Sequence, residues 1–457
     1  MSLAAPVRRD IAAGMMFGTC AALIALSHGN SLKAAACAVP VAIGVLWWML
    51  LEPTLWLSLF FATALLLPPL PIDLGNAGPH IAILIAACGL LVGMIHRVPL
   101  RWDLCSISFC ALFAAMAASV PMALIYSGLP IAAASMARVM LFGISLYVFL
   151  FVRGVPVPFP IVRLLFWAAT ASAMFACLDF YFQFPAPAGY GPQFIWLESG
   201  VFRRAQGVFY EASTLGNVCV FFLVMIAVAL SRPRRDRTVS TVTMLCGGVA
   251  LLAALVLSYS RASLVNLAVS LAVLLWVHRA RLGRLLVLAV TLAGAAFGLL
   301  VSLFPLFAKA YWQRFSLSFA NFLEAPNAIL SGRVDTWSVL TRFLIAHPWH
   351  AILGIGYKTL PYSDFIGQKA VADNTYLGMF IETGLAGFAA LLIWNAAVLR
   401  ASCRAARSEE PERSFYGTWM LCFWTGQIVQ MFSGDLLTYW RVLPVYTCVL
   451  ALAVRRR

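Results

Sequence analysis

The sequence predicts an all-α, polytopic transmembrane helix bundle, and three observations predict it. Of the 457 residues, 63% are hydrophobic and only 11% charged, with a mean hydropathy of +0.91; a soluble domain of this length needs a far more charged exterior. The apolar residues fall in runs of about 18–23, the length that crosses roughly 30 Å of hydrocarbon as helix. Backbone groups in lipid must be paired within their own segment, so such runs are helices.

Taken in chain order, the runs cover 11–27, 34–51, 54–72, 81–95, 104–126, 131–152, 164–182, 213–231, 239–258, 263–277, 285–304, 376–398, 415–432 and 437–454. They amount to about 12–14 spans in a single transmembrane domain, 1–457, with ends good to a few residues. Arg8 and Arg9 before the first run resemble a signal peptide, but no small-residue cleavage pattern leads into a soluble domain. The run therefore reads as a retained first helix.

A net charge of +15 admits nucleic acid as a partner until the charges are placed on these spans. With the N-terminus cytoplasmic and the spans alternating, Arg97, Arg101, Arg153, the Arg232–Arg237 run, Arg279–Arg284, Arg400–Arg407 and Arg455–Arg457 all fall inside. That is the positive-inside pattern. The basic balance thus reports orientation and contact with anionic membrane lipids, and no nucleic acid is expected. Both termini come out cytoplasmic, as in a protein of the inner-membrane type. The 11 cysteines lie almost all in apolar runs without a CxxC pair, and read as small packing residues.

Two connections are long, 183–212 and 305–375, and both fall on the non-cytoplasmic side. After Ser331, Val334, Trp337, Leu340 and Leu344 recur at helical spacing while Arg333, Asp335 and Arg342 take other faces. The pattern predicts a short helix at the membrane surface, with Trp337 at headgroup level, ending near His347-Pro348. Gly354 and Gly356 then open a turn. Long structured loops of this kind usually carry function.

Four polar clusters converge at these outer ends: Arg203-Arg204 through Tyr210-Glu211; Ser258-Tyr259-Ser260-Arg261; Arg333-Val334-Asp335-Thr336-Trp337; and Asp373-Asn374-Thr375-Tyr376. An interfacial anchor accounts for any single arginine. Arginines in three clusters, on the side where the topology rule predicts depletion, describe instead a site for an anionic headgroup, because guanidinium grips phosphate bidentately. Arg138 within a span and Asp179 near a span end could each belong to a buried pair, and neither is placed; Glu382 reads as a buried structural acid. His347 and His350 stand three apart with no carboxylate or cysteine beside them, and no metal site is expected. No nucleotide motif occupies the cytoplasmic loops.

At these clusters the sequence resembles the O-antigen ligase and Wzy-type polymerase superfamily of bacterial membrane glycosyltransferases. The matching pieces are Arg204-x-x-Gly207-x-Phe209-x-Glu211, Ser260-Arg261, Arg333-x-x-x-Trp337, His347-Pro348, Gly354-x-Gly356, and Asp373-Asn374-x-x-Leu377 with six residues to Gly384. Ligases carry histidine where this chain has Asp373, which moves the expectation from lipid A–core ligase toward repeat-unit polymerase.

The resemblance implies a polyprenyl-diphosphate-linked glycan donor, a glycan acceptor that is lipid-linked or lipid A–core, and a chain-length regulator as a further partner. It implies no cofactor and no metal. Arg204, Arg261 and Arg333 would bind the diphosphate, while Asp373, oriented by Asn374, would take the acceptor's proton, with inversion at C1. Arg203, Glu211 and Asp335 would support the site, and Tyr210, Tyr259, Trp337 and Tyr376 would stack on sugar rings. The reading from another class is a lipid-linked glycan flippase, which predicts charges near the bilayer midplane and repeat symmetry.

Overall fold

Punctuation residues set most helix ends. In the computed structural model, which describes residues 42–70, 79–155, 161–186, 190–197, 200–233, 239–277, 309, 312–313, 316, 333–362 and 370–455, the helices are α1 (Ala42–Leu51), α2 (Leu55–Leu66), α3 (Ile81–Ile95), α4 (Leu104–Ser127), α5 (Leu129–Gly154), α6 (Ile161–Phe182), α7 (Ala212–Leu230), α8 (Thr241–Leu257), α9 (Arg261–Val277), α10 (Arg333–Ala346), α11 (Pro348–Leu353), α12 (Thr375–Ala406), α13 (Pro411–Gln430) and α14 (Leu443–Val454). Asp103 caps α4 by accepting from Ser106 N at 2.8 Å, and Asn374 caps α12 by accepting from Leu377 N at 3.0 Å. Gly128, at φ +79°, ends α4 so that α5 can start with proline in its first turn. Pro68-Pro69 follow α2, and a helix cannot continue through them.

Five described helices, α4, α5, α6, α7 and α12, are long and apolar enough to cross a membrane, and α1, α2, α3, α8, α9 and α14 are shorter apolar helices. The chain is an all-α, multi-pass membrane protein. The expected spans 11–27 and 285–304 lie outside the described residues. Two expected spans differ in detail. The helix expected from 437 starts at Leu443, because a 3-10 turn at Leu436–Thr438 precedes it. The span expected at 415–432 is present as a helix, α13, but with Gln427 and Gln430 in a buried amide layer it is not among the described helices apolar enough to cross a membrane.

That layer explains how polar side chains sit inside an apolar bundle. Asn217 of α7 and Asn266 of α9 both donate to the side-chain oxygens of Gln427 and Gln430, at 2.8–3.2 Å, while Tyr446 Oη donates to Asn217 Oδ1 at 2.5 Å. Each amide satisfies another, which is the condition for keeping it out of water. α9 and α13 approach closely enough that a Cβ on Gly426 would lie 2.2 Å from Asn266 Oδ1. Around the layer pack the fully buried Trp394, Trp419 and Trp424.

α10 folds as the sequence predicts, with Leu340, Phe343 and Leu344 buried and Asp335 and Arg342 exposed. It packs with Ile355, Leu360, Ala370, Ala372 and Ile381 into a smaller second core over the start of α12. α12 itself breaks at Gly384, at φ +70° and ψ −169°. The break frees carbonyls that the preceding loop takes up: Ile355 N donates to Ile381 O at 3.1 Å and Gly356 N to Glu382 O at 2.9 Å. The approach is backbone to backbone, since a Cβ on Gly354 would lie 2.5 Å from Glu382 O and one on Gly384 2.2 Å from Ile352 O. The Gly354-x-Gly356 and Gly384 pieces of the motif are thus two sides of one contact.

Candidate functional site

The first cluster is delivered by a feature the sequence left as loop, a two-stranded antiparallel hairpin, β1 (Phe194–Leu197) and β2 (Gly200–Arg203). Four-residue strands carry too little alternation to be read from sequence. β2 hands the chain to Arg204, whose N–H donates to Gln193 O, and Ala205 N donates to Leu257 O at 2.9 Å. Gln206 braces the turn through Gly191 O, Tyr210 O and Gln193 N. Glu211 caps α7, and its carboxylate accepts from Ser213 Oγ at 2.9 Å and Thr214 Oγ1 at 2.6 Å.

The α8–α9 hairpin lies beside it. Tyr259 takes φ +51°, which turns the chain with almost no loop. α7 allows this by close approach: a Cβ on Gly216 would lie 2.7 Å from Ser263 Oγ and 3.1 Å from Ser260 Cβ. Arg204 crosses to the hairpin through Nε, which donates to Ser258 O at 2.8 Å.

α10 and the start of α12 bring the other two clusters together. Arg333 Nε lies 3.2 Å from Asp373 Oδ2, with the aspartate side chain 45% exposed. Asp373 holds φ +43°, an unusual conformation for a residue with a side chain. Trp337 Nε1 donates to Ala372 O at 2.7 Å, so the indole braces the Asp373 turn where the sequence placed it among headgroups. After Asn374, Thr375 N donates to Met431 O at 2.8 Å and Tyr376 Oη to Ile428 O at 3.1 Å, docking the motif on α13.

The three arginines lie within one another's electrostatic reach. Burial pulls the Arg204 guanidinium below the ordinary arginine value, and the positive charges of Arg333 and Arg261 push the same way, against Tyr439 and Glu211. Arg261 and Arg333 also act on each other. Among the described residues, Arg204 and Arg333 engage only Nε, which fixes each guanidinium and leaves its Nη pair uncommitted. Like charges held together over free donors are what an anion site requires.

Other expected members are placed differently. Arg203 pairs with Asp179 of α6 at 3.3 Å, which supplies the partner the aspartate needed. Asp335 is exposed on α10. Tyr259, expected to stack on a sugar ring, is 1% exposed and packs inside the bundle. Tyr210 packs on Tyr190 and Tyr376 on Phe432, both half-buried. His350 stacks on Phe343 and meets Tyr126 edge-on, and the described residues hold no group of three metal-ligating side chains.

Sequence reasoning missed Lys358, Asp435 and Tyr439. Tyr439 lies within electrostatic reach of Glu211, Arg204 and Asp373, joining the first and last clusters from the α13–α14 connection. Arg138, unplaced from sequence, donates from Nη1 to Lys358 O at 2.8 Å and from Nη2 to Tyr362 Oη at 2.9 Å.

No curated protein matches the chain. Residues 246–392 match the family model described as O-antigen ligase, a stretch that includes Ser260-Arg261, Arg333, Trp337, Asp373-Asn374 and Gly384. The part of the chain that carries most of its motifs is thus similar to the O-antigen ligase family model, within a multi-pass membrane protein.

Proposed function

We propose that the protein is an inverting glycosyltransferase that polymerises oligosaccharide repeat units carried on undecaprenyl diphosphate. The observation that carries this reading is the mutual electrostatic reach of Arg204, Arg261 and Arg333, with Asp373 ion-paired to Arg333. In this reading the loops 183–212 and 305–375 form the active-site face on the periplasmic side of the inner membrane, and both termini are cytoplasmic.

The donor's diphosphate lies against the three guanidiniums. An acceptor hydroxyl attacks the sugar C1 from the opposite side, the C1–O bond to diphosphate breaks with its electron pair, and the hydroxyl proton passes to Asp373. The arginines oppose the negative charge that grows on the leaving group, the duty a divalent metal performs elsewhere. Arg333 serves both ends of the step, with Nε on the base and Nη free for phosphate. General base assistance is worth about 10²–10⁴-fold, so Asp373→Asn is expected to lose that much transfer while unfolding at the wild-type temperature. Robust chain growth by purified Asp373→Asn would sink the assignment of the base.

The second reading is ligase, transfer of the finished glycan to lipid A–core, and the family description favours it. Asp373 in place of histidine favours polymerase. A deletion strain separates them: surface glycan cut to one repeat unit means polymerase, and glycan stranded on the lipid carrier means ligase. A transporter would bind lipid-linked oligosaccharide in detergent without lengthening it.

A further inference from the structure

A second charged group lies within electrostatic reach of Asp373, and the reaction as derived above does not use it. Lys358 follows the Gly354-x-Gly356 turn and holds φ +60°. Its ammonium lies 3.8 Å from Glu382 Oε2 and in direct contact with Asp435 Oδ2. Glu382, 2% exposed, sits within α12 just before the break at Gly384. Asp435 lies in the connection between α13 and α14. One cation thus ties together three segments distant in sequence.

The third of these segments leads back to the site. Asp435 stands between Gly434 and Leu436, and both of those hold Thr375: its hydroxyl donates to Gly434 O at 2.7 Å and accepts from Leu436 N at 3.2 Å. Thr375 comes two residues after Asp373. Asp373 lies also within direct electrostatic reach of Lys358.

A buried ion pair is seldom kept for stability, because well-packed apolar residues of the same volume do as well. What methionine could not supply here is a directional tie to two carboxylates at once. We propose that Lys358 is a positioning residue for the transfer reaction: by bridging Glu382 and Asp435 it clamps the 434–436 turn onto Thr375, and so fixes the Asp373 carboxylate beside the arginine cluster. The reaction named here is the one proposed above, and the clamp itself is tested apart from it.

The test uses the full chain in lipid nanodiscs, with undecaprenyl-diphosphate-linked oligosaccharide as donor and acceptor. Lys358→Met and Asp435→Asn are expected to speed amide hydrogen exchange across 373–378 and 434–438 by about tenfold or more, as local opening is eased. kcat falls by about tenfold or more with donor KM within about twofold, the pattern of lost orientation without lost binding. Lys358→Arg restores both. Because Lys358→Met strands the Glu382 charge, the double variant Lys358→Met/Glu382→Gln serves as the folded control and is expected to show the same loosening and the same loss. Unchanged exchange at 373–378 in Lys358→Met and Asp435→Asn would overturn the clamp, as would wild-type kcat in the double variant. Absence of any transfer by the wild-type protein overturns the polymerase reading, and the exchange measurement still decides the clamp.

Discussion

Arg441 and Arg204 are both drawn out of water near the same turn of chain, and they spend their donors differently. Arg441 gives Nε to Ala64 O at 2.8 Å, Nη1 to Val208 O at 2.5 Å and Nη2 to Leu67 O at 2.6 Å, with its guanidinium 5.1 Å over the Phe209 ring. Burial brings it down to about 10. Arg204 commits Nε alone to a carbonyl and, among the described residues, neither Nη. Arg441 ties the ends of α2, the 207–209 turn and α14 together. Arg204 is held still with its hands open. Burial by itself does not separate a structural cation from one kept for a ligand; the fate of each nitrogen does.

The largest effect expected from breaking this contrast belongs to the structural member. Arg441→Met strands the buried carbonyls of Ala64 and Val208, while Leu67 O keeps His80 Nε2 at 3.0 Å; at about 1–3 kcal/mol for each unmet group the loss is on the order of 3 kcal/mol. Thermal unfolding in detergent should show it as a large fall in midpoint or as failure to accumulate; an unchanged midpoint would mean that water replaces the guanidinium at no cost.

Arg204→Ala is expected to do the reverse, leaving the midpoint near wild type and reducing transfer by about 10²–10³-fold, the usual cost of one charge-stabilising donor. Arg204→Lys should recover little, since a point charge cannot both hold Ser258 O and present two parallel donors.

A smaller test sharpens the structural side. Arg153 of α5 donates from Nη1 to Asp103 Oδ1 at 2.9 Å, with Nη2 at 2.9 Å from Asp103 Oδ2 and Ser106 also in contact. Arg153→Lys should cost about 1–2 kcal/mol of stability with unchanged turnover, measured by unfolding and by chain elongation in parallel. The smallest change is Trp337→Phe, which removes one hydrogen bond to Ala372 O. It should cost about 1 kcal/mol and appear as a few-fold loss in kcat; none at all would show that Asp373 needs no brace.

The same contrast explains what could be read from the sequence. Arg204, Arg261 and Arg333 stand out because the topology read from the sequence predicts few cations on that side of the bilayer, and Asp373 stands out through its Asp-Asn-x-x-Leu motif. A violated rule is visible in one dimension. Arg441 and Lys358 are outer-side cations too, but no motif singles them or Asp435 out, and their roles come from partners such as Ala64 and Glu382 that only the fold brings near. The Phe194–Leu197 hairpin was hidden for another reason: it is too short to repeat its own pattern. α13 read as a plain span because Gln427 and Gln430 look like mere interruptions until Asn217 and Asn266 face them. Periodicity reports which face of an element is apolar, and it is silent on what waits opposite.

The meeting of Gly354 with Gly384 also bears on the order in which the molecule is made. The segment 354–356 leaves the ribosome before any of α12 does. The helix released into the membrane from 375 onward has no cause to interrupt itself at 384 until that earlier segment comes up beside it, offering Ile355 N and Gly356 N to the carbonyls of Ile381 and Glu382. The bend in α12 thus depends on a partner segment: a chain in which 354–356 is displaced is expected to carry a continuous helix through 384 and an unassembled candidate site.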